Sequence, residues 1–435
     1  MFPWSDLLLL IIRGSIEVIQ DTNFWIILAL VGYQYWQMQK RQRQMFGVCN
    51  YSLTQQIMLA GLFGLIGGIT GSFLLTLVGI TINQLGLNYI WPVALVLMLI
   101  NMRFLCFAYA GGLVALSHVL FGWPEVNVPQ VLSLVAVLHI TESLLIAISG
   151  GYSAVPMIIK KEVYTRERLF YNSDNAVPML DNKEESRLVG AFSLQNFWPL
   201  PLVILAAVAI PEGSAPGGIL KMPEWWPLLP MSQEPPTGSS WIYVMAPVVA
   251  ALGYTDMAIA SLPQQRRWHS ALHLAGYSIL LLVLAVLSAK YVWLQVIAAV
   301  LSPVGHEFLI QLDNRREMEQ PPRFVPPPYG LMVLDTVSDS PAARVLKPGD
   351  IITSLAGFPV NSKFDLAAAI SQAPESFTLV FERAGKEVHK KSKFKNGERR
   401  LGVILVPDGD EEFYAEMVTD RYGLIDWLKE KIKKR

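Results

Sequence analysis

Residues 330–360 read GLMVLDTVSDSPAARVLKPGDIITSLAGFPV, and this stretch sets the organisation of the chain. Gly330 opens a short apolar strand that runs to Leu334. Asp339-Ser-Pro-Ala-Ala-Arg344 starts a helical turn, because Ser or Asp ahead of Pro is a favourable helix N-terminus. Lys347-Pro-Gly-Asp350 is a tight turn in which Gly349 tolerates positive φ. Ile351–Leu355 follows as a strand, and Ala356–Val360 as a hairpin. Asn361 or Ser362 then caps a helix through Gln372. Phe377–Arg383 and Lys386–Phe394 pair around Ala384-Gly385, and Leu401–Val406 is the last strand. The spacing predicts a small α+β domain over 330–407, with a tail over 408–435.

Upstream the chain changes character. It has 435 residues, 52% hydrophobic and 16% charged, with no formal net charge. Residues 321–435 carry 18 basic and 16 acidic side chains, whereas the first 320 residues carry only 17 and 19. A soluble chain is roughly a quarter charged. The first part therefore reads as a helical membrane domain over 1–311, not as a soluble enzyme, a disordered segment or a disulfide scaffold. Balanced charge gives no pull toward nucleic acid. Apolar runs at 22–38, 54–82, 90–101, 104–121, 129–149, 196–211, 241–260, 270–288 and 291–310 predict eight or nine helical spans. Residues 5–20 suit an amphipathic or re-entrant helix. Residues 150–190 are expected to form a loop. Basic clusters at Lys40–Arg43, Lys160–Arg168, Arg266-Arg267 and Arg315-Arg316 place those ends, and the C-terminal domain, in the cytoplasm. Residues 312–329 hold five prolines in eight positions, a stiff spacer expected to keep the next domain just off the bilayer.

The order Gly330-x-x-Val333, Ser340-Pro-Ala-Ala343, Leu346-x-Pro-Gly-Asp350-x-Ile352, Gly357-x-Pro-Val360 resembles a bacterial PDZ domain over nearly 80 residues. The resemblance implies a groove in which a partner's C-terminus adds a strand and backbone amides cradle its carboxylate. Gly330–Val333 aligns with the second strand of the family. The carboxylate loop then falls at Arg399, Arg400, Leu401, Gly402, Val403 and Ile404, a circularly permuted arrangement. The helix would form the other wall, through Leu366, Ala369 or Ile370. Core and groove are equally good readings for Leu366 and Ile370, and Arg400 reads as either a solvated charge or a ligand contact. Gly402→Glu is expected to block backbone approach and leave the domain folded. The tail 411–435 puts Leu424, Ile425, Leu428 and Ile432 on one face and ends in basic residues. It suits anionic lipid or packing on the domain.

Ionisable residues inside apolar runs default to functional hypotheses. His139 and Glu142 share a face, His306-Glu307 follows Pro303, and Asp256 lies in the run at 241–260. The expected role for this intramembrane polar cluster is interhelical hydrogen bonding, His139 with Glu307 or Glu142 with His306. The alternative is metal binding by two histidines and two carboxylates. No metal set and no cofactor motif is assigned. Site-2-type proteases also combine membrane helices with PDZ domains, but need His-Glu-x-x-His; His306-Glu307-Phe-Leu-Ile310 lacks the second histidine. No enzyme is expected. The whole architecture resembles the MinJ-like group of multi-pass PDZ proteins of Gram-positive rods, with Arg103–Gly112, His139–Ser143 and Pro303–Glu307 similar to its membrane segments. That resemblance implies a scaffold in the bacterial cell membrane, enriched at septum or poles, that links DivIVA and MinD-type division proteins.

Overall fold

The structure, a computed structural model of the chain, describes residues 2–152, 154–168, 180–214, 219–395 and 398–416. The expected basic tail beyond residue 416 lies outside them. Six helices come first: α1 (Trp4–Gln20), α2 (Thr22–Phe46), α3 (Leu53–Val78), α4 (Leu87–Ile100), α5 (Phe107–Phe121) and α6 (Val128–Ser149). Three strands follow, β1 (Val155–Arg168), β2 (Leu180–Pro211) and β3 (Ser239–Ala258), then α7 (Pro263–Ser288) and α8 (Trp293–Glu319). Helices α3, α6, α7 and α8 are long and apolar enough to cross a membrane; α1 and α2, bent by 71°, could make one more as a single span. Helices α4 and α5 are apolar but shorter.

Two of the expected helical spans are strands. Residues 196–211 and 241–260 form the antiparallel hairpin β2–β3, in register from Phe192 opposite Ala258 to Pro211 opposite Ser239. The physical reason is in the run itself. Pro199 and Pro201 remove helix donors and clash with the preceding turn, Pro247 does the same in β3, and Val203, Ile204, Val208 and Ile210 favour extended backbone. Residues 150–190, expected as a loop, supply β1 and the start of β2, paired from Val155 opposite Ser193 onward.

Beyond Ser193, β2 has β3 on one side and no β1 on the other. Alternate residues along that second edge are each accounted for. The Phe197 N–H donates to the Tyr35 hydroxyl (3.2 Å), the Val203 N–H to Ser72 Oγ (2.7 Å) and the Ala207 N–H to Asn83 Oδ1 (2.9 Å). Leu205 bridges Thr81, and Pro199 and Pro201 have no N–H to satisfy. Helix α3 closes on this edge through glycine. A Cβ on Gly64 would stand 2.1 Å from the Pro199 carbonyl oxygen, and one on Gly68 2.7 Å from that of Pro201. Trp198, Leu200, Leu202 and Ile204 fill the central core beside Leu75, Leu138 and Leu145.

The C-terminal domain follows the predicted element order: β4 (Leu331–Thr336), β5 (Ile351–Leu355), β6 (Phe358–Pro359), α9 (Lys363–Gln372), β7 (Ser376–Arg383), β8 (Lys386–Lys393) and β9 (Val403–Leu405). The sheet order is β8-β7-β5-β4-β9, with β6 beside β5. Ser362 and Asp365 form a reciprocal cap at the start of α9. Asp350, 2% exposed, accepts from Lys347 N–H and from Arg383 Nε and Nη2, so the turn and β7 are locked together. A short strand β10 (Ala415–Glu416) returns to pair with β1.

The proline segment differs from the expected spacer. Helix α8 continues to Glu319, and Phe324 is fully buried, edge-on to Phe192 at 5.4 Å. Its carbonyl accepts the Gly190 N–H (2.9 Å), and the Arg323 N–H reaches Ile259 (2.9 Å). Leu334, Ile404 and Val406 of the small domain join the same core. The domain is seated on the hairpin because the linker carries a large apolar side chain that water would otherwise meet.

Replacing Ser72 by Ala strands the Val203 N–H in an apolar site, a cost of about 1–3 kcal/mol. The detergent-solubilised chain carrying Ser72→Ala should melt several degrees below wild type by thiol-free fluorescence thermometry, while Ser52→Gly, at an exposed cap, should change little.

Candidate functional site

Strand β9 is an edge of its sheet among the described residues, and the groove implied by the sequence would lie between it and helix α9. Gly402 precedes β9 at φ +73, and its carbonyl accepts the Val337 N–H (2.9 Å) and the Ser340 hydroxyl (3.2 Å). The Leu401 carbonyl accepts the Ala342 N–H (3.0 Å). With these carbonyls turned inward, the N–H groups of Leu401 and Gly402 donate to nothing among the described residues. That is the donor pair a terminal carboxylate needs. Arg399 donates to the Ser371 carbonyl near the end of α9, and Arg400 is exposed with no ion pair among the described residues.

The two walls are bridged at their other end. Lys363 Nζ contacts Asp408 Oδ1 (2.9 Å) and Glu411 Oε1 (2.7 Å), just beyond β9. Partial burial pulls the Lys363 ammonium down, but the two carboxylates reverse this and hold it above its usual range. Because Lys363 faces β9, Ala367 and Ile370 one and two turns on share that face. Ala367 is exposed and Ile370 half-buried.

The expected lining residues therefore divide. Leu366 and Ala369, at 5% and 2% exposure, sit in the domain core with Val333, Leu355 and Phe381. Ile404 turns to the opposite face of β9 and packs with the hairpin core. Val403 and half-buried Ile370 pack against the edge of the domain core, and exposed Ala367 shares the Lys363 face of α9, which only the helix phase shows. Gly402→Glu does not leave the fold untouched, contrary to expectation. Its Cβ would stand 2.2 Å from Ser340 Cβ, in a left-handed conformation that favours glycine.

Asp256 is not part of an intramembrane cluster. It lies on β3, where Arg266 donates to both its oxygens (2.8 and 2.7 Å) and Ser270 to Oδ2 (2.7 Å). Glu307 accepts from Tyr109 (2.7 Å), Gln311 (2.8 Å) and Arg103, and the expected His139–Glu307 pairing is replaced by these. His139 instead meets His306, with ring centroids 5.1 Å apart, and Cys106 joins them. Glu142 is outside this trio. Cys106 was unremarkable in the sequence because its partners lie 33 and 200 residues away.

The domain and the hairpin meet at Asn50. Its amide donates to the Ala154 carbonyl (3.2 Å) and to Asp335 Oδ2 (3.0 Å), its side-chain oxygen accepts from Gln42 (3.1 Å), and its carbonyl accepts the Ser338 N–H (3.1 Å). Burial pushes the Asp335 carboxyl up to about 6, against the opposing Thr336 N–H and Asn50 amide.

No protein-family model and no curated protein matches the chain. Among solved structures, it is similar to the PDZ domain of an SdrC-like protein from Listeria monocytogenes, at 26% identity and TM-score 0.16, over 18% of this chain and 86% of that one. It is likewise similar to the PDZ domain of an SdrC-like protein from Listeria innocua, at 24% identity and TM-score 0.16, over 18% and 92%.

The raised Asp335 pKa has a definite sign. The folded chain holds this proton more tightly than an unfolded one with the ordinary 3.8, so the associated stability is present below that value and lost as pH rises through about 6. Melting wild type and Asp335→Asn between about pH 4.5 and 7.5 should show the difference moving in the variant's favour with rising pH. A constant difference would remove Asp335 as the titrating group.

Proposed function

We propose that this protein is a non-enzymatic membrane scaffold whose C-terminal PDZ-like domain captures the C-terminal residues of a partner protein. The observation that carries the reading is the pair of N–H groups at Leu401 and Gly402, which donate to nothing among the described residues, beside the edge strand β9. A peptide that adds to β9 satisfies both the strand edge and the carboxylate cradle. Strand β9 spans only three residues and the Lys363 bridge closes its far end, which favours a short terminal motif over a long internal strand. Arg400 at the mouth adds attraction for the carboxylate.

The anchor is the bundle of apolar helices, with the domain on the cytoplasmic side by the distribution of basic residues. The finer reading, placement of division proteins of the DivIVA and MinD type at septum or poles, is supported by the sequence resemblance to MinJ-like proteins. Seating of the domain on the hairpin makes groove and anchor one unit, so a partner is held at fixed height and orientation.

Ala367→Trp fills the groove from an exposed position and leaves the core alone. It should lower capture of partners from membrane extracts at least about tenfold, the equivalent of about 1.4 kcal/mol, with an unchanged melting temperature. Truncation at Gln320 is a poorer test, since it strips Phe324, Leu334 and Ile404 from the central core. In dividing cells, a fluorescent fusion of wild type should concentrate at septa or poles, and a partner's focus should disperse with Ala367→Trp. Undiminished capture would overturn the groove, and uniform membrane fluorescence would overturn the division role.

A further inference from the structure

We propose that Cys106, His139 and His306 form a zinc-binding site that pins α5, α6 and α8 together. Cys106 caps the start of α5, His139 lies in the middle of α6 and His306 follows Pro303 in α8. Their donor atoms all lie within 4.8 Å of one another. Cys106 Sγ stands 3.3 Å from His139 Nε2 and 3.9 Å from His306 Nε2. Zinc bonds of about 2.3 Å to sulfur and about 2.0–2.1 Å to nitrogen, at a tetrahedral angle, separate the two atoms by about 3.6 Å. The observed distances bracket that value, and one thiolate with two imidazoles is a ligand set suited to zinc.

The surroundings prepare each donor. His139 Nδ1 is 2.7 Å from the Val135 carbonyl, which fixes the proton there and leaves the Nε2 lone pair facing the sulfur. The Ala108 N–H donates to Cys106 Sγ (3.4 Å), so the sulfur is already held as an acceptor. A hydrogen-bonded trio explains less. A single S–H can serve one imidazole, whereas both Nε2 atoms face the sulfur. The phenols nearby are engaged elsewhere: Tyr277 donates to the Ser302 carbonyl (2.6 Å) and Tyr109 to Glu307 (2.7 Å). They leave the fourth tetrahedral position to water.

The packing holds the three donors in place. A Cβ on Gly112 would stand 2.5 Å from Pro303 Cδ, so α5 and α8 approach as closely as glycine permits. Ser302 Oγ donates to the Ala108 carbonyl (2.8 Å), two residues from Cys106. The site thus ties the segment around residue 106 to residues 200 positions later. This goes beyond peptide capture, which uses none of these side chains.

The test uses the full chain, purified in detergent, stripped with chelator and incubated with zinc sulfate. Elemental analysis after desalting should find about one zinc per chain in wild type and in Cys49→Ser, and less than about a tenth of that in Cys106→Ser and His306→Gln. Cobalt in place of zinc should give a thiolate-to-metal charge-transfer band that Cys106→Ser lacks. A measurement independent of ligand variants is alkylation: in the folded Cys49→Ser chain, zinc should slow maleimide modification of Cys106 about tenfold, because the metal-bound sulfur is withheld from attack. Zinc retained by Cys106→Ser, no zinc in wild type, or alkylation indifferent to zinc would each overturn the site.

Discussion

A strand edge placed among apolar helices has to find a partner for every N–H that faces away from its neighbour, because a buried donor without one costs more than most single contacts return. The far edge of β2 is where this protein meets that constraint. Tyr35, Ser72 and Asn83 come from three different segments and each accepts one N–H, while two prolines remove two more. The glycines of α3 then let its backbone lie against the prolines. Remove that arrangement and the hairpin has no reason to sit inside the bundle, and the small domain has nothing to sit on.

That dependence runs outward through Phe192 and Phe324 to Leu334 and Ile404. The small domain therefore uses its sheet twice. One face of β9 holds the domain to the hairpin, through Ile404, and the other packs Val403 and Leu405 against the domain's own core. The alternation of side chains along an extended strand makes the two uses compatible. Lysines on the opposite edge strand, β8, discourage pairing there. Asn50 adds a polar connection at the same junction, and the proton on Asp335 couples its strength to pH.

The helical part shows a second use of long-range contact. Glu307 is paired with Arg103 and accepts from Tyr109, and Asp256 is paired with Arg266, so these two carboxylates are held by partners. The two histidines face a thiol and each other. Charged groups are compensated by proximity of opposite sign, whereas the cysteine and histidines are grouped by donor chemistry.

The element order of the small domain was legible in the sequence, because turns such as Lys347-Pro-Gly-Asp350 and the Ser362–Asp365 cap are decided by residues within a few positions of each other. The helical segments α2 to α8 were legible for a similar reason, since hydropathy over about 20 residues is a local sum. What failed was the reading of 196–211 and 241–260. An apolar run of that length ordinarily suits a helix, and its prolines and β-branched residues were the local signs against one. Beyond local reach lay the seating of Phe324, the inward turn of Leu366 and Ile404, and the meeting of Cys106 with His139 and His306. Each depends on segments far apart in the chain arriving at one point. The sequence by itself determined which stretches are apolar and the order of strands, turns and helix in the small domain. Only the tertiary structure decided which apolar runs are strands and which polar residues meet, because backbone donors in an apolar setting are satisfied by partners that no local pattern names.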